Sequence, residues 1–108
     1  MKKIDNQSLL GCIESCFMLS MDDRLTLKQQ KKMNALGKQL RGNLLNLLTA
    51  QFNDDVKQVD SANQQLQQLN TQLADTQAAI ARLNDTIATA ASVVKALDKL
   101  LLLAVSFI

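Results

Sequence analysis

Histidine, proline, tryptophan and tyrosine are all missing from these 108 residues, and glycine occurs only three times. Without histidine the chain lacks the commonest general base and the commonest metal ligand. Without proline, and with so few glycines, it lacks the turn chemistry that joins many short strands, which argues against sandwiches, barrels and most α/β folds. An all-α chain forming a single domain is expected. Aromatics amount to 3%, three Phe, so the 47% of hydrophobic residues is mostly Leu, Ala, Ile, Val and Met. Charge of one sign is also lacking: twelve Lys and Arg stand against ten Asp and Glu, a net +2. That excess is too small to imply a polyanionic partner for the whole molecule.

Candidate catalytic groups are equally sparse. Asp22-Asp23 and Asp54-Asp55 are neighbours in sequence, so on a helix their side chains diverge by about 100°. There is no Gly-rich phosphate loop. The chain reads as a non-enzyme with no catalytic residue, no cofactor, no metal and no small-molecule substrate. Cys12 and Cys16 share a helical face, but no His or third Cys completes a zinc set. They read as small apolar side chains in a packed face, with an intermolecular disulfide in an oxidising compartment as the other reading. Leu9-Leu10-Gly11-Cys12 imitates a lipoprotein cleavage box, yet Asp5, Asn6 and Gln7 precede it where an apolar leader core would be needed. The default address is therefore cytoplasmic, with peripheral membrane attachment or export without a cleaved signal as alternatives.

What is present is helical periodicity. Asp5, Asn6 or Ser8 can cap a first helix over about 6–20, with Leu9, Leu10, Ile13, Cys16 and Phe17 at three-and-four spacing. Ser20 and Asp23 resemble a capping box for a second helix over about 23–41. Lys38 and Arg41 suit the negative end of that helix, Gly42 suits the left-handed residue after it, and Asn43 can cap the next. On the second helix Arg24, Lys28, Lys31, Lys32 and Lys38 fall within one third of the circumference, opposite Leu25, Met33, Leu36 and Leu40. This basic amphipathic face is a candidate site for anions or lipid headgroups. Nucleic acid is a poor partner for it, because no stacking aromatic or recognition module accompanies the patch.

From Leu44 onward there is neither Gly nor Pro, and an apolar series recurs every seven residues: Leu45, Phe52, Val59, Leu66, Leu73, Ile80, Ile87, Val94, Leu101 and Ile108. A second series lies three residues on and includes Leu69, Leu83, Ala90 and Leu97. Such phase predicts a coiled-coil seam on one long helix over about 44–106, roughly 95 Å in length. The expected architecture is an elongated helical hairpin, with Asn53-Asp54-Asp55 as the one place where a fold-back could interrupt it. Leu66, Leu69, Leu73, Ile80, Leu83, Ile87, Val94, Leu97 and Leu101 are the candidate oligomer interface. Gln51, Gln58, Gln65 and Gln72 flank the seam, so ion pairs do not select the partner. The apolar face widens towards the C-terminus through many Ala, which calls for three or more close helices: a bundle, ring or tube of several chains, or an antiparallel bundle within one.

Leu100, Leu102, Leu103, Val105, Phe107 and Ile108 form an uncharged terminal run that needs cover from protein or lipid. A full membrane span over 87–108 is opposed by Lys95, Asp98 and Lys99, each costing about 2.5–3.5 kcal/mol near a bilayer centre. Two functions follow as expectations. The first is a non-enzymatic assembly protein that forms helical bundles with itself or another helical protein through the 45–108 seam. The second is a membrane-active or membrane-anchored subunit, pore-forming or secretion-related, with the C-terminal run in lipid and the basic helix on an anionic surface.

Overall fold

A computed structural model describes residues 1–107. Helices account for 77% of the chain, in agreement with an all-α class. They are α1 (Asn6–Ser20), α2 (Leu27–Leu47), α3 (Lys57–Ala78) and α4 (Leu83–Leu100). Asp5 caps α1: its carboxylate accepts from the Ser8 backbone N–H at 3.1 Å and from the Ser8 hydroxyl at 2.8 Å. Leu9, Cys12, Ile13, Cys16 and Leu19 then turn one face inward.

The second helix starts later than the Ser20/Asp23 pattern suggests. Ser20 instead closes α1 by donating to the Phe17 carbonyl at 2.6 Å. The true capping box is Thr26 with Gln29: the Thr26 hydroxyl accepts from the Gln29 N–H at 3.1 Å, and the Gln29 side chain accepts from the Thr26 N–H at 2.9 Å.

The expected stop at Arg41-Gly42-Asn43 does not occur, and α2 continues to Leu47. No glycine has a positive φ, so Gly42 does not take the left-handed turn. Asn43 faces inward rather than capping, its amide donating to Asp98 at 2.7 Å, and Leu47 adds a further buried turn. Four turns of packed helix outweigh one glycine. A Cβ at Gly42 would meet nothing within 4 Å, so Gly42→Ala should stabilise the protein by about 0.4–1 kcal/mol through helix propensity. A rise of a few degrees in Tm is the expected result; a fall would mean that the chain turns at Gly42 after all.

The single helix expected over 44–106 is replaced by three segments and two reversals. One reversal spans 48–56 and includes the Asn53–Asp55 fold-back. The other, at 79–82, uses a single 3-10 turn, Ile80–Arg82. A lone 95 Å helix would leave its apolar stripe in water, whereas shorter pieces cover one another within one chain. Accordingly the molecule measures 43 × 19 × 18 Å and is not elongated.

α1 packs on α2 and α3, and α4 packs on α3 and α2. The helices thus circle the core in the order α2-α1-α3-α4, as two antiparallel hairpins side by side. Asp5 beside Asn63 and Gly11 beside Asn70 show that α1 and α3 run parallel. Segment 48–56 must therefore cross one end of the bundle diagonally. Phe52, fully buried, plugs the core there. Its backbone pairs with Lys2 through two bonds of 2.8 and 3.0 Å. On the other side β1 (Ala50–Gln51) pairs antiparallel with β2 (Ser106–Phe107). The C-terminal segment is thus a 3-10 turn, Leu101–Leu103, and a short strand, where helix had been expected to 106. Strand pairing over the crossover satisfies backbone groups that a helix end would leave open.

Candidate interaction surfaces

The residues expected to form an oligomer seam are arranged around the core of the single chain. Leu66, Leu69, Leu73, Leu83, Val94 and Leu97 are buried, and Ile80, Ile87 and Leu101 pack half-buried against them. Leu45 and Leu48, from the start of the same heptad rows, are exposed instead. The phase is therefore real over α3 and α4 and changes meaning in α2. Where the rows meet polar residues, Thr76 and Thr86 share a buried hydroxyl–hydroxyl bond of 2.6 Å. Each hydroxyl also reaches a carbonyl one turn back on its own helix, Gln72 at 2.8 Å and Arg82 at 3.2 Å.

The uncharged C-terminal run divides. Leu100 enters the core, whereas Leu102 is 85% exposed, Phe107 56%, and Leu103 and Val105 are exposed beside them. Ile108 lies outside the described residues. Asn43 sits beside Asp98 and the two helices run parallel from there, so the last turn of α2 comes level with this segment. It brings Leu45, 70% exposed, and Leu48 to the same end of the bundle. Sequence reasoning missed these two leucines as surface residues, although extending the angular test of the basic helix past Arg41 would have placed Leu45 opposite Met33, Leu36 and Leu40 and Leu48 at the edge of their face.

The basic residues do not act as one group. Lys28, Lys31 and Lys32 border an open groove of about 670 Å³ between the starts of α2 and α4, together with Thr26, Asn84 and Ile87. Lys38 is exposed farther along α2. Arg24 is withdrawn from the set: it forms an ion pair with Asp22 at 2.6 Å and donates to the Gln77 carbonyl at 2.6 Å. Hydrogen bonds from Arg24 hold the Asp22 carboxyl down at about 2. Arg41 stacks over Phe17 at 5.7 Å from the ring centre, a cation–π contact.

Cys12 and Cys16 are free and buried. Burial pushes both thiols up to about 12, from an ordinary 9.0, so they stay protonated in the folded protein. Cys12 Sγ lies 3.5 Å from the Leu66 carbonyl, within reach of a weak bond. These are packing residues on the face of α1 that meets α3. Near the start of the same helix, the hydrogen bond from the Ser8 backbone, followed by that from Gln67, lowers the Asp5 carboxyl.

Among the described residues, no helix is long and apolar enough to cross a membrane. No known protein family matches the chain, and no characterised protein or solved structure is significantly similar to it.

Proposed function

We propose that this chain is a non-enzymatic helical assembly module that associates with copies of itself. The observation that carries this reading is the concentration of exposed apolar side chains at one end of a bundle whose interior is otherwise filled. Leu45, Leu48, Leu102, Leu103, Val105 and Phe107 are exposed at that end, against Met18, Met21 and Leu27 at the other. Burial of such side chains favours association by about 1.5–3 kcal/mol each when complete, and soluble monomers seldom expose large contiguous apolar patches. The flanking surface suits a neutral partner: α3 offers Gln64, Gln67, Gln68 and Gln72 with few charges. The heptad rows of α3 and α4 lie in the chain's own core, so they would add a coiled-coil contact between copies only where a helix leaves its place within one chain.

The test is the absolute mass of the full chain by light scattering after size exclusion, in detergent-free buffer with reductant. A discrete multiple of 11.9 kDa is expected, with Leu102→Glu plus Phe107→Glu returning the monomer at unchanged helix content. A wild-type monomer at every accessible concentration would overturn the reading, and a double variant of undiminished mass would overturn the apolar end as the contact.

A second reading is favoured by one observation. From Arg24 to Asn53 the chain carries six cations and no acid, and exposed Leu27, Leu45 and Leu48 interleave with Lys31, Lys38 and Arg41 on the outer side of α2. A surface of that kind suits peripheral contact with an anionic bilayer. A monomer that co-sediments with vesicles containing anionic phospholipid, and is released by salt, would favour this second reading over self-assembly.

A further inference from the structure

The two reversals at the far end of the bundle are built from opposite kinds of sequence. Between α1 and α2 the chain spends Asp22, Asp23, Arg24 and the Thr26–Gln29 capping box on its turn. Between α3 and α4 the sequence is Gln77-Ala78-Ala79-Ile80-Ala81-Arg82-Leu83, with no Gly, Pro, Asn, Asp, Ser or Thr. Alanine is the strongest helix former, and no residue here offers the backbone an alternative partner. Nonetheless Ala79 leaves helical geometry, at φ −134° and ψ 84°. Neither the 3-10 turn nor α4 has a side-chain cap.

Three further features burden the closed turn. The Gln77 side-chain amide nitrogen is buried without a hydrogen-bond partner. The Gln77 carbonyl, which in a continuous helix would accept from the Ala81 N–H, is occupied by Arg24 instead. Ile80 and Ile87, both on the heptad row, are only half covered in the closed fold. Meanwhile the apolar rows run through the turn without a phase break: Leu73, Thr76, Ile80, Leu83, Ile87, Ala90. A reversal between two helices usually interrupts such a repeat, since nothing in a loop requires the spacing to be kept.

We infer that the α3–α4 turn is a hinge for exchange between two copies of this chain. Residues 57–100 straighten into one helix of about 66 Å, and α4 of each chain takes the place of α4 in the other, between α2 and α3. Every contact of the closed fold is remade across the two chains, including the one between Thr76 and Thr86. The backbone of 79–82 regains its helical bonds, and the Ile80 side chains of the two antiparallel long helices come together where they cross. Hinges of this kind, in which a short loop opens into a regular element, are the usual route to exchanged dimers. The inference rests on the self-assembly reading for its partner alone; it joins the copies through the seam residues, so an exchanged dimer keeps its mass in Leu102→Glu plus Phe107→Glu, whereas association through the apolar end does not.

A cysteine pair separates this arrangement from every other dimer. In Thr76→Cys plus Thr86→Cys, oxidised after refolding at high concentration, the bridge joins two chains if α4 is exchanged and stays within one chain if it is not. Expected is a dimer by light scattering that persists as a covalent dimer on a non-reducing gel and falls to the monomer with reductant. Ala79→Gly, in the otherwise native chain, should lower the dimer-to-monomer ratio roughly 25-fold, the product of two hinges at about fivefold each from the glycine helix penalty. A dimer whose bridge is internal to each chain would overturn exchange and leave self-assembly standing. Absence of any dimer would overturn both. An Ala79→Gly ratio equal to that of the native chain would overturn the hinge even if the cysteine pair failed to fold.

Discussion

Phe52→Ala should cost about 3–5 kcal/mol of folding stability, read as a lower midpoint in urea with little change in slope. For a chain of this size, total stability is on the order of 5–15 kcal/mol, so the variant would approach the unfolding threshold at modest temperature. The reason is positional. Phe52 is fully buried, and it is held in the crossover by two backbone bonds to Lys2, so the surrounding chain is poorly able to collapse into the space it leaves. Leu102→Ala, near the far end of the same expected helix, is the natural control: its side chain is mostly in water, and its loss should change stability by less than about 0.5 kcal/mol. Equal effects from the two would mean that the crossover does not close the bundle as described.

Leu69→Ala should cost about 2–5 kcal/mol, and the informative part of that result is its dependence on protein concentration. Leu69 is fully buried within the chain's own four helices. Under conditions where the chain is monomeric, its midpoint should therefore be the same at low and high concentration, for the variant as for the native protein. If the heptad rows instead joined separate chains, the midpoint would climb with concentration, as mass action requires of an oligomer whose subunits fold only together. Ile87→Ala, on the same rows but half covered, should cost clearly less. A loss at Ile87 as large as that at Leu69 would restore the elongated seam, because Ile87 is only half covered in the four-helix arrangement.

Helical class and the buried faces of α1, α3 and α4 were legible because they are local. The spacing of Leu66, Leu69 and Leu73, or of Leu83, Ala90 and Leu97, reports which side of a helix is apolar, and burial follows. What the spacing leaves open is the origin of the covering surface. A heptad row satisfied by a neighbouring chain and one satisfied by the same chain after a reversal carry the same residues. The reversal at 79–82 was illegible for a stated physical reason: Ala78, Ala79 and Ala81 favour helix, and only the tertiary gain of packing α4 on α2 and α3 overrides them. Gly42 failed in the other direction. Its backbone freedom permits a turn but does not demand one, and the contacts of Asn43 and Leu47 decided the matter.

The surfaces show the same division. Opposition of Lys28, Lys31 and Lys32 to Met33, Leu36 and Leu40 follows from angle alone. That Arg24 would leave the group depended on Asp22 and on a carbonyl, that of Gln77, far away in sequence, and no local pattern contains that information. Likewise the terminal run reads as uniformly in need of cover, whereas the fold admits Leu100 to the core and turns Leu102 and Phe107 outward: Leu102 stands about 200° from Leu100 even on a helix, and Phe107, which a helix would return to the side of Leu100, lies on a strand.

The strip across the bundle end also determines how the molecule bears load. Lys2 and Ser106–Phe107 flank the same central strand, each antiparallel to it, and so run parallel to one another. Tension applied between the first and last described residues pulls these outer strands in opposite directions along their length. The bonds from Lys2 to Phe52 and from Val105 to Gln51 are then sheared together instead of being peeled one at a time. The helices stay unloaded until that strip yields, and its rupture would release Phe52 and open the core from that end.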